Sequence, residues 1–593
     1  MLGMRHLRSS FTVRVTRCAA LALVLLASAV AAPRSQAPPA DLVVLNARIV
    51  TLDAQSRIAE AAAIRDGVFV AVGSAADVRP LAGAGTRVID AGGDTVIPGL
   101  IDSHVHALGV AGAEARQPFV DLRSIDAIQA WVREQAARTP EGAWIWSPRV
   151  FPTRVREHRF PTRAELDAAA PRNPVVVDGA YAVMVNTAAL DAAGITAQTP
   201  DPPGGAIVKD EAGRPTGLLR NVGNLLSRFR TDSDGVPLDM LETVHRKYLE
   251  TGITSVVERG ASVEGYRAYR ALQEASRLRV RATVTIRVNS DGTAADTERF
   301  IRTLPFRFGE GDDRLKVGPL KIVADGGILA GTAYMRQPYG ANAAALYGVA
   351  DPGYRGFLTR TPEALNAIIR TGHRLGWQMS AHVTGDAGVD AVLDAVEAAH
   401  GDAPITDRRF TLIHAYFANA DTARRAARLG VIVDTQPAWY YKDADALAEA
   451  LGAARLERFI GLDTWLDGGV TVAINTDHMF GLEPDTSMNP YNPFLTMYVA
   501  VTRRTEGGQV FGPGQAVTRE QALRMMTTEA ARLSFDEDRK GSIEVGKLGD
   551  LVVLSDDLFA VPAEDIRHIR AKTTVVGGEI ACEHGHPRSQ PSR

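Results

Sequence analysis

Cysteine is almost absent from this chain: its 593 residues include two, Cys18 and Cys582. With Cys18 in a removable leader, only Cys582 remains, which excludes an internal disulfide and leaves stability to core burial. It also excludes a cysteine metal site, so any metal must be held by imidazole, carboxylate or modified amine. An excess of one charge is lacking too. Lys and Arg total 66 against 69 Asp and Glu, a net charge of -3, so no basic surplus points to nucleic acid or an anionic membrane. The apolar stretch Ala19 to Val30 is shorter than the about 20 residues that span a bilayer. Arg5, Arg8, Arg14 and Arg17 precede it, and Val30-Ala31-Ala32 follows. That pattern predicts a cleavable Sec-type signal over 1–32, a linker over 33–40, and a secreted or periplasmic protein with no stable membrane insertion after cleavage.

What is present has two textures. From 41 to 97, and again from 541 to 582, short β-branched runs alternate with Asn, Asp and Gly turns. One β-sandwich built from both termini is the economical reading, with 583–593 as a disordered tail. Between 98 and 540, strand-like runs alternate with helical patterns such as PEALNAIIRTGHRLG. This predicts α/β architecture: a TIM (β/α)8 barrel set into the sandwich. The stretch exceeds the ~250 residues of a minimal barrel, so an insertion is placed at about 119–230, as a lid over the barrel mouth.

Within the barrel, six residues close or nearly close apolar runs: His104 and His106 in VIPGLIDSHVH, Lys321 in VGPLKIV, His382 in WQMSAH, His414 in FTLIH and Asp477 in TVAINTD. Strand ends of a parallel barrel converge on one face, where such folds carry their chemistry. The period of two places His104 and His106 on the same side of a strand. An ammonium at Lys321 would be costly among apolar neighbours; it is either part of a buried ion pair or a neutral amine that adds CO2 to form a metal-bridging carbamate. Asp477 suits a metal ligand that also moves a proton. His584 and His586 imitate a metal pair but lie in the Pro/Ser/Arg tail.

PGLIDSHVHA, LKIVADGG, SAHVTGDAGVDAVLDA, LIHAYF and GSIEVGKLGDLVVL, together with NTAALDAAGIT, GRPTGLL and NPYNPF, resemble the amidohydrolase superfamily, and within it the family 3 (YtcJ-like) branch. The resemblance runs from about Asp41 to Ala581 and implies a zinc-type hydrolytic site of one or two divalent ions. His104, His106, Lys321, His382, His414 and Asp477 carry over as metal residues, with Asp477 and His414 catalytic. The chain departs from the family at Tyr181, where relatives often show histidine, at Asn475-Thr476-Asp477-His478 in place of Gly-Ser-Asp, and at Glu258. Expected substrate contacts are Tyr181, Glu258, Asp325, Tyr339, Trp439 and His478.

The reading is an exported hydrolase that cleaves a non-peptide carbon–nitrogen bond of a small molecule (amide, N-acyl or cyclic amide) by metal-activated hydroxide. A homodimer is compatible with it. The alternatives are an esterase, lactonase or phosphoesterase on the same scaffold, and an exported protein that binds without turnover.

Overall fold

A computed structural model describes residues 38–230 and 235–583. The signal expected over 1–32, most of the linker, and the tail histidines lie outside these residues. Eight parallel strands form the central sheet: Leu100–Val105, Ile253–Ala261, Arg281–Arg287, Leu315–Val323, Met379–Val383, Thr411–His414, Ile432–Thr435 and Thr471–Ile474. Neighbours in the chain are neighbours in the sheet. A parallel bridge from Val105 to His478, with His106 N–H donating to the His478 carbonyl at 2.9 Å, brings the last strand back to the first. The result is a TIM barrel.

These strands are buried nearly end to end, as in Leu100–Val105 and Met379–Val383. Helices cover one face and the barrel interior the other, so the strands read as apolar runs rather than alternating ones. The helices start where the sequence supplies capping side chains: Ser262, Thr293, Thr361 and Asn419 each accept a backbone N–H in the first turn of the helix that follows. Gly99 opens the first strand because nothing larger fits: a Cβ there would lie 2.3 Å from Thr254 Oγ1.

Strands from both ends of the chain share one six-stranded sheet, ordered Glu579–Glu583, Ala571–Val576, Leu551–Leu554, Thr95–Pro98, Arg48–Val50, Ile58–Ala59. It packs on a four-stranded sheet drawn from Leu42 to Asp90, through a core that includes Leu42, Ile64, Phe69, Val96, Leu551 and Val575. Arg281 at the base of the third barrel strand ties sandwich to barrel: its Nε and Nη2 donate to Asp550 at 2.7 and 2.8 Å, with both side chains buried. Between the first two barrel strands, a five-stranded sheet from Ile145 to Arg220 carries its own apolar cores. Gly179, Ala180 and Tyr181 from this insertion reach the cavity at the barrel mouth.

Candidate active site

The cavity at the carboxyl ends of the barrel strands has a volume of about 990 Å³. His106, Lys321, His382, His414 and Asp477 line it, and His104 lies directly behind, fully buried. All six strand-end residues therefore meet at one place.

Three of them face a common point. His104 Nε2 and His106 Nε2 are 3.3 Å apart, and each is 3.4 Å from Asp477 Oδ1. Asp477 Oδ1 is buried and accepts no hydrogen bond, whereas Oδ2 is fixed by the Trp439 indole N–H at 3.0 Å. Two ligands of a tetrahedral zinc-type ion, each about 2.1 Å from it, stand about 3.4 Å apart. The spacing of the three atoms and the orphaned oxygen thus fit a divalent cation. His382 and His414 form a second pair, with ring centroids 4.4 Å apart and His414 5.5 Å from His104. The Lys321 amine reaches His104 Nε2 at 3.4 Å and electrostatically disfavours protonation of His382 and His414.

Burial sets the protonation of this cluster. It drives the imidazolium of His104 and His414 far down, that of His382 to about 3, and lowers His106 as well. Neutral imidazoles with free lone pairs are what a metal needs. Burial also brings the Lys321 ammonium down to about 7, giving a substantial share of neutral amine at physiological pH.

Surrounding groups hold these side chains in place. The Asp102 carboxylate accepts His104 N–H, Thr476 N–H and the Thr476 hydroxyl, tying the first strand to the segment that carries Asp477. Asp434 accepts from Ser103 Oγ, Asn475 Nδ2 and Arg259 Nη2, all at 2.6 Å, and Asn475 Oδ1 in turn accepts Asp477 N–H. Asp477 and His414 adopt left-handed backbone, φ +50° and +78°. Such conformations cost about 1–3 kcal/mol each and persist only where their surroundings enforce them.

The expected substrate contacts divide. Tyr181 and Trp439 line the cavity. The Tyr181 hydroxyl stands 3.2 Å from His382 Nδ1, while Trp439 doubles as the anchor of Asp477. The other four do not line it, because their polar atoms are consumed inside the protein. Glu258 accepts from Tyr269 Oη and Leu108 N–H. Asp325 accepts the N–H groups of Tyr334, Thr384 and Gly385, organising the turn after His382. The Tyr339 hydroxyl donates to the Ala333 carbonyl. His478 is held between Tyr248 Oη and the Gly481 carbonyl, each at 2.8 Å, so it cannot polarise a substrate. Sequence reasoning missed the Arg259–Asp434–Asn475 support, although Asp434 also sits near the end of an apolar run, VIVDT.

Comparison with known proteins agrees with this geometry. Residues 87–582 match the profile of the Amidohydrolase family. The chain is 29% identical to the N-substituted formamide deformylase of Arthrobacter pascens, over 92% of this chain and 98% of that one. It is 27% identical to YtcJ of Bacillus subtilis (strain 168), over 88% and 96%. The crystal structure of an uncharacterized metal-dependent hydrolase from Pyrococcus horikoshii OT3 superposes with a TM-score of 0.64 at 21% identity, covering 88% of this chain and 99% of that one, which shows a shared fold.

Proposed function

The chain belongs to the amidohydrolase family, in its family 3 branch, and from that premise we propose that it hydrolyses a carbon–nitrogen bond other than an ordinary peptide bond: an amide, N-acyl or cyclic amide. The observation that carries this reading is the buried, unpartnered Asp477 Oδ1 facing two imidazoles at 3.4 Å on the wall of a substrate-sized cavity. The Arthrobacter pascens relative is named for the deformylation of an N-substituted formamide, a bond of this class.

His104, His106 and Asp477 would hold one divalent ion, which we assign as zinc. His382 and His414 would hold a second, with Lys321 as a bridging carbamate. When bound, such an ion supplies Lewis acidity at the scissile carbonyl and lowers the pKa of water toward neutrality. Asp477 takes the proton released by the attacking water and delivers it to the leaving nitrogen, while Trp439 keeps its carboxylate from rotating away. Tyr181 donates its hydroxyl toward the developing oxyanion; burial raises its pKa well above the ordinary phenol range, so it stays protonated. Leu329 and Phe480 give the cavity apolar walls that restrict water.

The test is metal content per chain in the purified protein, with intact mass measured after expression with and without bicarbonate. Two ions, and a carbamate-sized mass gain absent from Lys321→Ala, are expected. Turnover should follow across formamides, N-acyl amines and cyclic amides and exceed that of matched esters, lactones and phosphoesters. Absence of metal under replete conditions would overturn the hydrolase mechanism.

A further inference from the structure

The cavity wall is unusually rich in positive charge. Arg116, Arg149, Arg230, Arg259, Arg287, Arg360 and Lys321 all line it, and Asp477 is its single carboxylate among the described residues; Arg230 lies over the Trp146 ring. Two of the arginines are neutralised within the protein: Arg149 by Asp178 at 3.0 Å and Arg259 by Asp434 at 2.6 Å. Arg287 and Arg360 are not. Among the described residues, neither has an acidic group within ion-pair distance, and Arg360 spends one donor on the neutral Ser290 carbonyl at 3.0 Å. The acid that favours the Arg360 charge is Asp291, but its carboxylate is taken by the backbone and hydroxyl of Thr293.

Their placement is specific. Arg287 ends the third barrel strand and is the register partner of Lys321 on the fourth. Arg360 follows Thr359, whose N–H and hydroxyl bond to the Ala324 and Val323 carbonyls just past the end of that fourth strand. Arg287 disfavours the charge on Arg360, and also that on Lys321 and His382. Arg287 is exposed and Arg360 half-buried at the cavity wall, and no acidic side chain among the described residues pairs with either, so both guanidiniums remain available to a ligand anion.

We propose that Arg287 and Arg360 form an anion subsite, and that the substrate is an amide bearing a carboxylate or similar oxyanion close to the scissile bond. Adjacent strands lie about 5 Å apart, and the guanidinium of Arg287 extends from a strand next to that of Lys321. An anionic group held there lies within a few bonds of a carbonyl at the cluster, as in an N-acyl amino acid. Two planar guanidiniums suit bidentate recognition of such a group. This rests on the amide-hydrolase reading above.

The experiment compares N-formylglycine, N-acetylglycine and N-benzoylglycine with their neutral glycinamide counterparts and with aminomethylphosphonate analogues, using the metal-loaded wild type, Arg287→Gln, Arg360→Gln and a surface control, Arg307→Gln. Expected are at least a tenfold preference in kcat/KM for an anionic member over its neutral partner, its loss in both subsite variants, and its retention in the control. The phosphonate arm separates carboxylate from general oxyanion recognition, and a preference for either supports the subsite. Binding of the same anions is followed by calorimetry in parallel. Anion binding lost in Arg287→Gln, with no amide turned over, would keep the subsite and refute the hydrolytic reading. Neutral amides turned over as well as anionic ones would do the reverse. Loss of metal or of the bicarbonate-dependent mass in Arg287→Gln, with unchanged discrimination, would place Arg287 in the service of Lys321 and overturn the proposal.

Discussion

Replacing Arg259 by Met tests whether the charge buried beneath the active site is what holds it in shape. Arg259 and Asp434 are both inaccessible to solvent, 2.6 Å apart, and the guanidinium also donates to the Ser103 carbonyl at 2.9 Å. Burial outweighs attraction for each partner: the Asp434 carboxyl is pushed up despite Arg259, and the Arg259 guanidinium down despite Asp434. Such a pair adds little over neutral groups, but removing one member strands the other at a cost of about 3–5 kcal/mol. The Arg259→Met/Asp434→Asn double variant retains an acceptor for Ser103 and Asn475 without the stranded charge, so it should recover much of that loss. With an unfolding entropy of about 2.1 cal/mol/K per residue over roughly 545 residues, 3–5 kcal/mol corresponds to a fall in Tm of about 3–4 °C. Calorimetry on metal-free protein reads this, and metal content reports the site, because Asp434 holds Asn475 and Asn475 holds Asp477. Equal losses in the single and double variants would refute the argument, since stranded charge could not then be the cause.

Other consequences follow from the same contacts. His104→Ala and Asp477→Asn should each lower metal content by at least one ion per chain and abolish the stabilisation by added metal, about 2.7 kcal/mol at a hundredfold excess over Kd, as read by thermal shift with and without zinc. Trp439→Phe removes the hydrogen bond to Asp477 Oδ2 while leaving metal in place, and should reduce kcat about tenfold or more with little change in KM in steady-state kinetics. Asp550 gives a pH-dependent latch. Burial alone would raise its pKa, but the Arg281 guanidinium and the Gly577 N–H hold it below the ordinary value of 3.8. The unfolded chain therefore takes up that proton first as pH falls. The latch's contribution is complete above the ordinary carboxylate range, diminishes as pH drops below about 4 through the depressed folded value, and should vanish from the acid limb of a Tm-versus-pH curve in Asp550→Asn.

The clustering of the six strand-end residues was legible because its signal is local: each is a ligand-type side chain at or just beyond the end of an apolar run, and a parallel barrel turns that one-dimensional coincidence into a shared face. The two-ended sandwich was legible for a similar reason, since its strands keep their β-branched texture at both termini. Glu258, Asp325, Tyr339 and His478 carry the same local marks but a different fate. What decides their role is whether another segment supplies a partner, and that depends on contacts such as Tyr248 to His478, 230 residues apart. The Arg259–Asp434 pair spans 175 residues and was invisible for the same reason. Arg287 and Arg360 are the converse case. In sequence they are ordinary strand-end or loop cations, and their meaning comes from the lack of a counter-charge in the described protein around them. A local pattern can mark where ligands gather. Which polar groups remain available is settled only after the fold has spent the rest on itself, and in this cavity those without an acidic partner among the described residues include the guanidiniums of Arg287 and Arg360.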